Sequence, residues 1–194
     1  MDSSARKQLI PRLRAMAEPV VERLGMDLVA VELLNEQGQE IIRIFIDKPG
    51  GVSVGDCSRV SHALSPTMDV DDPLPEIAYR LEVSSPGIDR PVQRRADFMR
   101  FAGFRARIRL DSTAGRRRFS GLLLGLDGDD LLLQVEGSPE PQRHPLERVD
   151  RVRLLLDADE YARLGKEGPP LLPGESPPPD HRPGTAPHGE PHDQ

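Results

Sequence analysis

The sequence predicts an α+β protein: an N-terminal α-β-β-α-β layered domain, a small β-barrel after it, and a disordered proline-rich C-terminal tail. Three observations predict this. Apolar residues alternate between helical spacing and period two up to about residue 85. Five short strand patterns then follow within about 55 residues. The last 26 residues, Pro169 to Gln194, hold nine prolines and almost no bulky apolar side chains, too little to bury for folding. The expected divisions are residues 1–88, 89–157 and 158–194, the last mostly disordered.

Leu9, Leu13, Met16, Val20 and Leu24 recur at helical spacing, and Gly25 is the expected stop. Pro11 and Pro19 weaken that helix and predict a kink. Met26 to Leu34 and Ile41 to Lys48 read as strands joined by a hairpin turn at Gln37-Gly38-Gln39. In the second strand Ile42, Ile44 and Ile46 share one face, Arg43 and Asp47 the other. Pro49-Gly50-Gly51 breaks the strand. Ser53 followed by Asp56 reads as a helix N-cap, and Val54, Cys57, Val60, Leu64 and Met68 as the buried stripe of the second helix. Asp71 to Pro75 is a loop. Tyr79, Leu81 and Val83 then alternate with Arg80 and Glu82 as a half-buried strand.

Beyond Ser84-Ser85-Pro86-Gly87, read as the inter-domain linker, the character changes. Asp97 to Phe101 reads as a helical turn. Phe104, Ala106, Ile108 and Leu110 alternate with Arg105, Arg107 and Arg109, a strand with one arginine face. A turn at Ala114-Gly115 precedes strands at Arg118 to Leu126, Asp130 to Glu136, Gln142 to Leu146 and Arg151 to Leu156. These five strands are the expected barrel.

Bulk composition narrows the function classes. The sequence has no run of 18 apolar residues and no apolar segment after its charged N-terminus, so a chain without membrane span or secretory signal is expected. One cysteine, Cys57, excludes a disulfide framework and suits a reducing, cytoplasmic compartment. The net charge is −6, yet residues 90–118 carry ten arginines against Asp97 and Asp111, a local balance of +8. Local field governs attraction to phosphate more than net charge does.

Motifs for catalysis are absent: no G-x-S-x-G, no Walker A pattern, no H-E-x-x-H and no C-x-x-C. Gly121 and Gly125 fit G-x-x-x-G, but inside a β pattern that spacing says nothing about phosphates. Cys57 is read as a small buried hydrophobe, not a nucleophile. His62 and His144 are read as solvated or half-buried histidines. His181, His188 and His192 fall in the tail and specify no metal geometry. Asp69, Asp71 and Asp72 read as a solvated acidic loop. No catalytic residue, metal site or cofactor is expected.

The arginine block is the strong physical signal. Arg94, Arg95, Arg105, Arg107, Arg109, Arg116, Arg117 and Arg118 are the candidate partner-binding residues. Guanidinium forks match phosphate oxygens, and a row at strand spacing tracks a backbone. The competing reading is a solvated strand face paired with acids such as Glu136 or Asp150.

Taken in order, Asp47-Lys48-Pro49-Gly50-Gly51-Val52-Ser53, Asp56-Cys57, Val60-Ser61, Asp69-Val70-Asp71-Asp72-Pro73 and Glu82-Val83-Ser84-Ser85-Pro86-Gly87-Ile88-Asp89-Arg90-Pro91 resemble the ribosome maturation factor RimP family. Arg116-Arg117-Arg118-Phe119-Ser120-Gly121, Gly125 to Asp129 and His144-Pro145-Leu146 extend the resemblance, which covers roughly residues 6 to 156. It implies a KH-like first domain and an SH3- or Sm-like barrel. It also implies cytoplasmic action, without catalysis, on the free small (30S) ribosomal subunit during maturation, through rRNA or ribosomal protein. A monomer is expected. The other function considered is a general RNA-binding or RNA-chaperone module.

Overall fold

The computed structural model describes residues 3–111 and 117–175. The chain begins with helix α1 (Ser3–Arg23), which runs through Pro11 and Pro19. Strands β1 (Asp27–Glu36) and β2 (Gln39–Asp47) form an antiparallel hairpin. The two residues between them, Gln37 and Gly38, both take positive φ, 54° and 86°. That is the geometry a two-residue hairpin turn requires, and glycine takes it at little cost. The Asn35 side-chain oxygen accepts from Gly38 N–H at 3.2 Å and closes the turn.

Helix α2 (Val54–Val70) carries the chain across to β3 (Tyr79–Ser84), which lies parallel to β2. A parallel pair needs such a crossover. The sheet order is β1-β2-β3. Leu13, Val21, Ile42, Ile44, Ile46, Val60 and Leu64 pack between the helices and the sheet. The opposite sheet face is also covered: Val29, Ala30 and Phe45 form a second buried cluster there.

The start of α2 corrects one expectation. Val54 is 88% exposed and does not belong to the buried stripe. Ser53 is the N-cap, so Val54 falls in the first turn and points outward. The third residue of that turn, Asp56, is buried in its place at 2% exposure. Its carboxylate accepts from Ser53 N–H at 2.8 Å and the Ser53 hydroxyl at 2.6 Å, and pairs with Lys48 at 2.8 Å and with Arg59. The hydrogen bonds from Lys48 and then Ser53 hold this carboxyl well below the ordinary carboxylate range. A depressed folded-state pKa makes the contribution of Asp56 complete above the unfolded value, about 4, and progressively lost as pH falls below it. Asp56→Asn is therefore expected to destabilise the protein at pH 7 and to reduce the loss of stability between neutral and acid pH. Urea midpoints across that range check it; parallel wild-type and variant curves would count against the assignment.

The second part of the chain contains helix α3 (Arg95–Arg100) and strands β4 (Arg105–Leu110), β5 (Arg118–Asp127), β6 (Asp130–Val135), β7 (Gln142–Pro145) and β8 (Val149–Leu154). All neighbours are antiparallel, in the order β7-β6-β5-β4-β8. The expected closed barrel is not what forms. No ladder joins β7 to β8 among the described residues, and the sheet is open. The reason lies partly in the linker. The free edge of β8 is occupied by residues 88–92: Val92 N–H donates to Val152 C=O, Leu154 N–H to Arg90 C=O, and Leu156 N–H to Ile88 C=O. On the other side β7 is only four residues long and ends at Pro145, which has no N–H to continue a ladder. A 3-10 turn, Leu146–Arg148, carries the chain from one edge to the other.

Phe98, Phe101, Ile108, Leu123, Leu131, Leu133 and Leu154 form the core of this part. The turn expected at Ala114-Gly115 lies outside the described residues. Residues 158–194, expected mostly disordered, begin instead with helix α4 (Ala158–Glu167). Asp157 caps it reciprocally with Glu160, and Leu164 enters the core. The buried leucine, the capping box and a hydrogen bond from Gly50 N–H to Gly165 C=O at 3.1 Å hold this helix in place. Residues 176–194 lie outside the described residues.

Candidate binding face

Alternation along β4 sends Ala106 and Ile108 inward and Arg105, Arg107 and Arg109 to the outer face of the sheet. The register extends that face over three strands. Arg105 lies opposite Leu122, Arg107 opposite Ser120 and Arg153, and Arg109 opposite Arg118 and Arg151. The arginine row therefore continues onto β8 through Arg151 and Arg153, which the sequence reading missed. Their spacing was the available signal, since Arg151 and Arg153 repeat the period-two pattern of Arg105 and Arg107 within a strand already recognised.

The eight candidate arginines separate into groups. Arg105 and Arg107 are exposed and have no carboxylate partner among the described residues. Arg117 is exposed, but it lies at the far end of β4, where its carbonyl accepts from Leu110 N–H at 2.8 Å. Arg118 lies opposite Arg109 in the β4–β5 ladder. Arg109 pairs with Asp150, as the competing reading anticipated. Arg94 and Arg95 are not on this face. Arg94 caps α3 and donates to Asp97 at 3.1 Å. Arg95 reaches Asp129 at 2.9 Å and the Gly128 carbonyl at 2.6 Å. Arg116 lies outside the described residues.

The β8 end of the face meets the first sheet. The Glu32 carboxylate, 4% exposed, accepts from Arg153 at 2.6 Å, and the Arg153 guanidinium lies over the Phe45 ring, 5.2 Å from its centre. Nearby, Gln93 uses both ends of its amide on one residue of β1. It donates to Val31 C=O at 2.7 Å and accepts from Val31 N–H at 3.0 Å. An edge strand is thereby sealed by a side chain that imitates a neighbouring strand. Arg90, directly after the linker, is buried, donates to Asp47 at 2.5 Å and stacks on Phe101. Ser84 ends β3, and its hydroxyl donates to Ser85 C=O at 3.1 Å. Gly87 turns the chain at a φ of 63°.

The remaining sequence candidates stay apart. Cys57 is half-buried, and burial followed by the Asp56 charge pushes its thiol up, away from the reactive thiolate. The His62 ring Nδ1 lies 2.8 Å from Ser58 C=O on an exposed helix face. His144 is buried against Phe119, ring centres 4.8 Å apart, and burial lowers its pKa. His181, His188 and His192 lie outside the described residues. Among the described residues no group of three or more His, Cys, Asp or Glu side chains could hold a metal ion, and no helix is long and apolar enough to cross a membrane.

The fold and this face define a mixed α+β protein in which a helix-strand-strand-helix layer is followed by a sheet-rich part with a basic outer surface. Residues 16–89 match the family model of the RimP N-terminal domain, so this part of the chain is similar to the RimP family. That family consists of ribosome maturation factors, which are non-catalytic assembly factors acting on the small ribosomal subunit.

Proposed function

We propose that this protein is a cytoplasmic, monomeric maturation factor that binds the free, immature 30S subunit and performs no reaction on it. The observation that carries the reading, beside the family, is the pair Arg105 and Arg107, exposed side by side on a rigid central strand without carboxylate partners among the described residues. By contrast Arg90, Arg94, Arg95, Arg100, Arg109, Arg143 and Arg153 are each paired with an acid. The division into residues 1–88 and 89–157 is supported by two separate hydrophobic clusters, with Ser84 to Gly87 between them.

Sedimentation of the full chain with purified small-subunit particles tests the reading. The wild-type protein is expected in the particle fraction at low salt, and Arg105→Gln with Arg107→Gln to shift toward the top of the gradient. If both arginines meet phosphate, the salt dependence of log affinity flattens by about two units. A protein absent from the particles at every salt concentration would refute the proposal. Equal affinity for arbitrary structured RNA would favour the general RNA-binding module.

A further inference from the structure

The two sheets have four edges, and three of them are blunted. On β1, Gln93 pairs with Val31, and Arg14 donates to the carbonyls of Leu28 at 3.3 Å and Val29 at 3.0 Å. Residues 88–92 cover β8, and β7 is four residues long and ends at Pro145. The outer edge of β3 is open. This strand is six residues long and pairs with β2 on one side only. Along a strand every second residue turns its N–H and C=O to the same side. Among the described residues no group bonds the N–H and C=O groups that Tyr79 to Ser84 turn outward. An open edge of this kind is a template for a further strand, and proteins ordinarily close it.

A groove of about 660 Å³ runs beside this edge, between β3 and the C-terminal half of α2. Met68, Leu74, Ile77, Tyr79 and Leu81 supply its apolar wall. Tyr79, Leu81 and Val83 face the helices but are only half-buried, whereas Ile42, Ile44 and Ile46 of β2 are fully buried on the same face. The missing cover lies on the outer side of β3, where a fourth strand would stand. The charged side chains that line the groove are all acidic: Asp69, Asp72 and Glu76. None of them pairs with a cation among the described residues. Asp72 accepts from Leu74 N–H at 2.9 Å, and Arg12 approaches only the Asp71 and Asp72 carbonyls, at 3.5 and 3.4 Å. Burial, then the charges of Asp72 and Asp69, push the Tyr79 phenol up. The opposite flank of β3 is balanced. There Glu82 accepts from Arg43 at 2.8 Å and from Arg80 at 2.6 Å, and Glu36 accepts from Arg43 at 3.1 Å.

We propose that the open edge of β3 receives an extended, basic segment of another protein, which adds a fourth strand to the first sheet. Main-chain hydrogen bonds to β3 supply the attachment, and alternate apolar side chains enter the groove beside Met68 and Leu81. Lysine or arginine at the end of the segment meets Asp69, Asp72 and Glu76. A second copy of this chain would bring an edge whose arginines are already paired with glutamates, and it answers none of the three acids. RNA is repelled by the same acids. The proposal does not depend on Arg105 and Arg107.

The test uses the full chain and two libraries of nine-residue peptides. In one, lysine or arginine stands at both ends, and apolar residues alternate with serine or threonine between them. In the other, glutamate or aspartate replaces the basic ends. Selection on the immobilised protein is expected to enrich the basic library at least tenfold over the acidic one. The best selected peptide should slow amide exchange at least tenfold at every second residue of Tyr79 to Ser84. N-methylating one alternate set of the peptide's amides abolishes binding, and methylating the other set leaves it, as pairing along a single edge requires. Asp69→Lys with Glu76→Lys, both at exposed positions, weakens binding at least tenfold. The Arg105→Gln/Arg107→Gln protein binds like wild type, which separates this edge from the proposed subunit contact. Equal enrichment of the two libraries, protection confined to residues outside β3, indifference to either methylation, or a self-paired dimer whose β3 amides are protected without peptide would each overturn the proposal.

Discussion

Gly121→Ala is expected to destabilise the second sheet by about 3 kcal/mol, at the upper end of what overpacking a core usually costs. Gly121 sits in β5 opposite Val135 of β6 and Ala106 of β4. A Cβ built there meets the Gln134 carbonyl oxygen at 2.1 Å, its carbon at 2.7 Å and the Val135 Cα at 3.0 Å. All three atoms are backbone, so no rotamer change relieves the clash, and β6 must separate from β5. The backbone at Gly121 is ordinary extended chain, so the cost is one of space and not of conformation. Equilibrium urea unfolding followed by circular dichroism measures it. A midpoint within error of the wild type would show that the two strands stand further apart than described.

Glu32→Ala is the second large effect, with an expected cost of about 3 kcal/mol. The native pair is not itself worth that much, because moving charges out of water offsets most of their attraction. The cost comes from what remains. Arg153 keeps only the Asp89 carbonyl at 2.9 Å and the Asp89 carboxylate at 3.8 Å, and Arg151 loses its nearest acid. Arg153→Leu in the same background is expected to recover part of the loss, since it removes the stranded charge. Limited proteolysis supplies an independent readout. With the contact between the two parts weakened, cleavage in the segment Ser84 to Gly87 should accelerate, while the described cores stay protected. Additive effects of the two substitutions would contradict a shared network.

The pairing of these arginines with acids explains why the candidate face was only half legible. Period two in Arg105, Arg107 and Arg109 is a local property, and it placed those side chains on one face from the sequence alone. Which of them stay free is a non-local property, decided by where Asp150, Glu32 and Asp129 arrive in space. Arg94, Arg95 and Arg109 looked equivalent to Arg105 and Arg107 in the charge count, and each is answered by an acid. Asp129 lies 34 residues beyond Arg95, Asp150 41 residues beyond Arg109, and Glu32 121 residues before Arg153. The same holds for α4: its capping box and Leu164 are visible locally, but only the core of the second sheet gives Leu164 a place to be buried.

What the sequence by itself determined about this protein was therefore everything with a short range. It set the alternation of helix and strand, the hairpin at Gln37-Gly38, the Ser53 cap, the stop at Gly25 and the ordered motifs that mark the family. The tertiary structure alone decided the open sheet in place of a barrel, the burial of Asp56, the extension of the arginine row onto β8 and the open edge of β3. The physical reason is the range of the interactions. Backbone conformation and periodicity are settled within a few residues, whereas charge pairing, edge sealing and cavities depend on which distant segments the folded chain brings together.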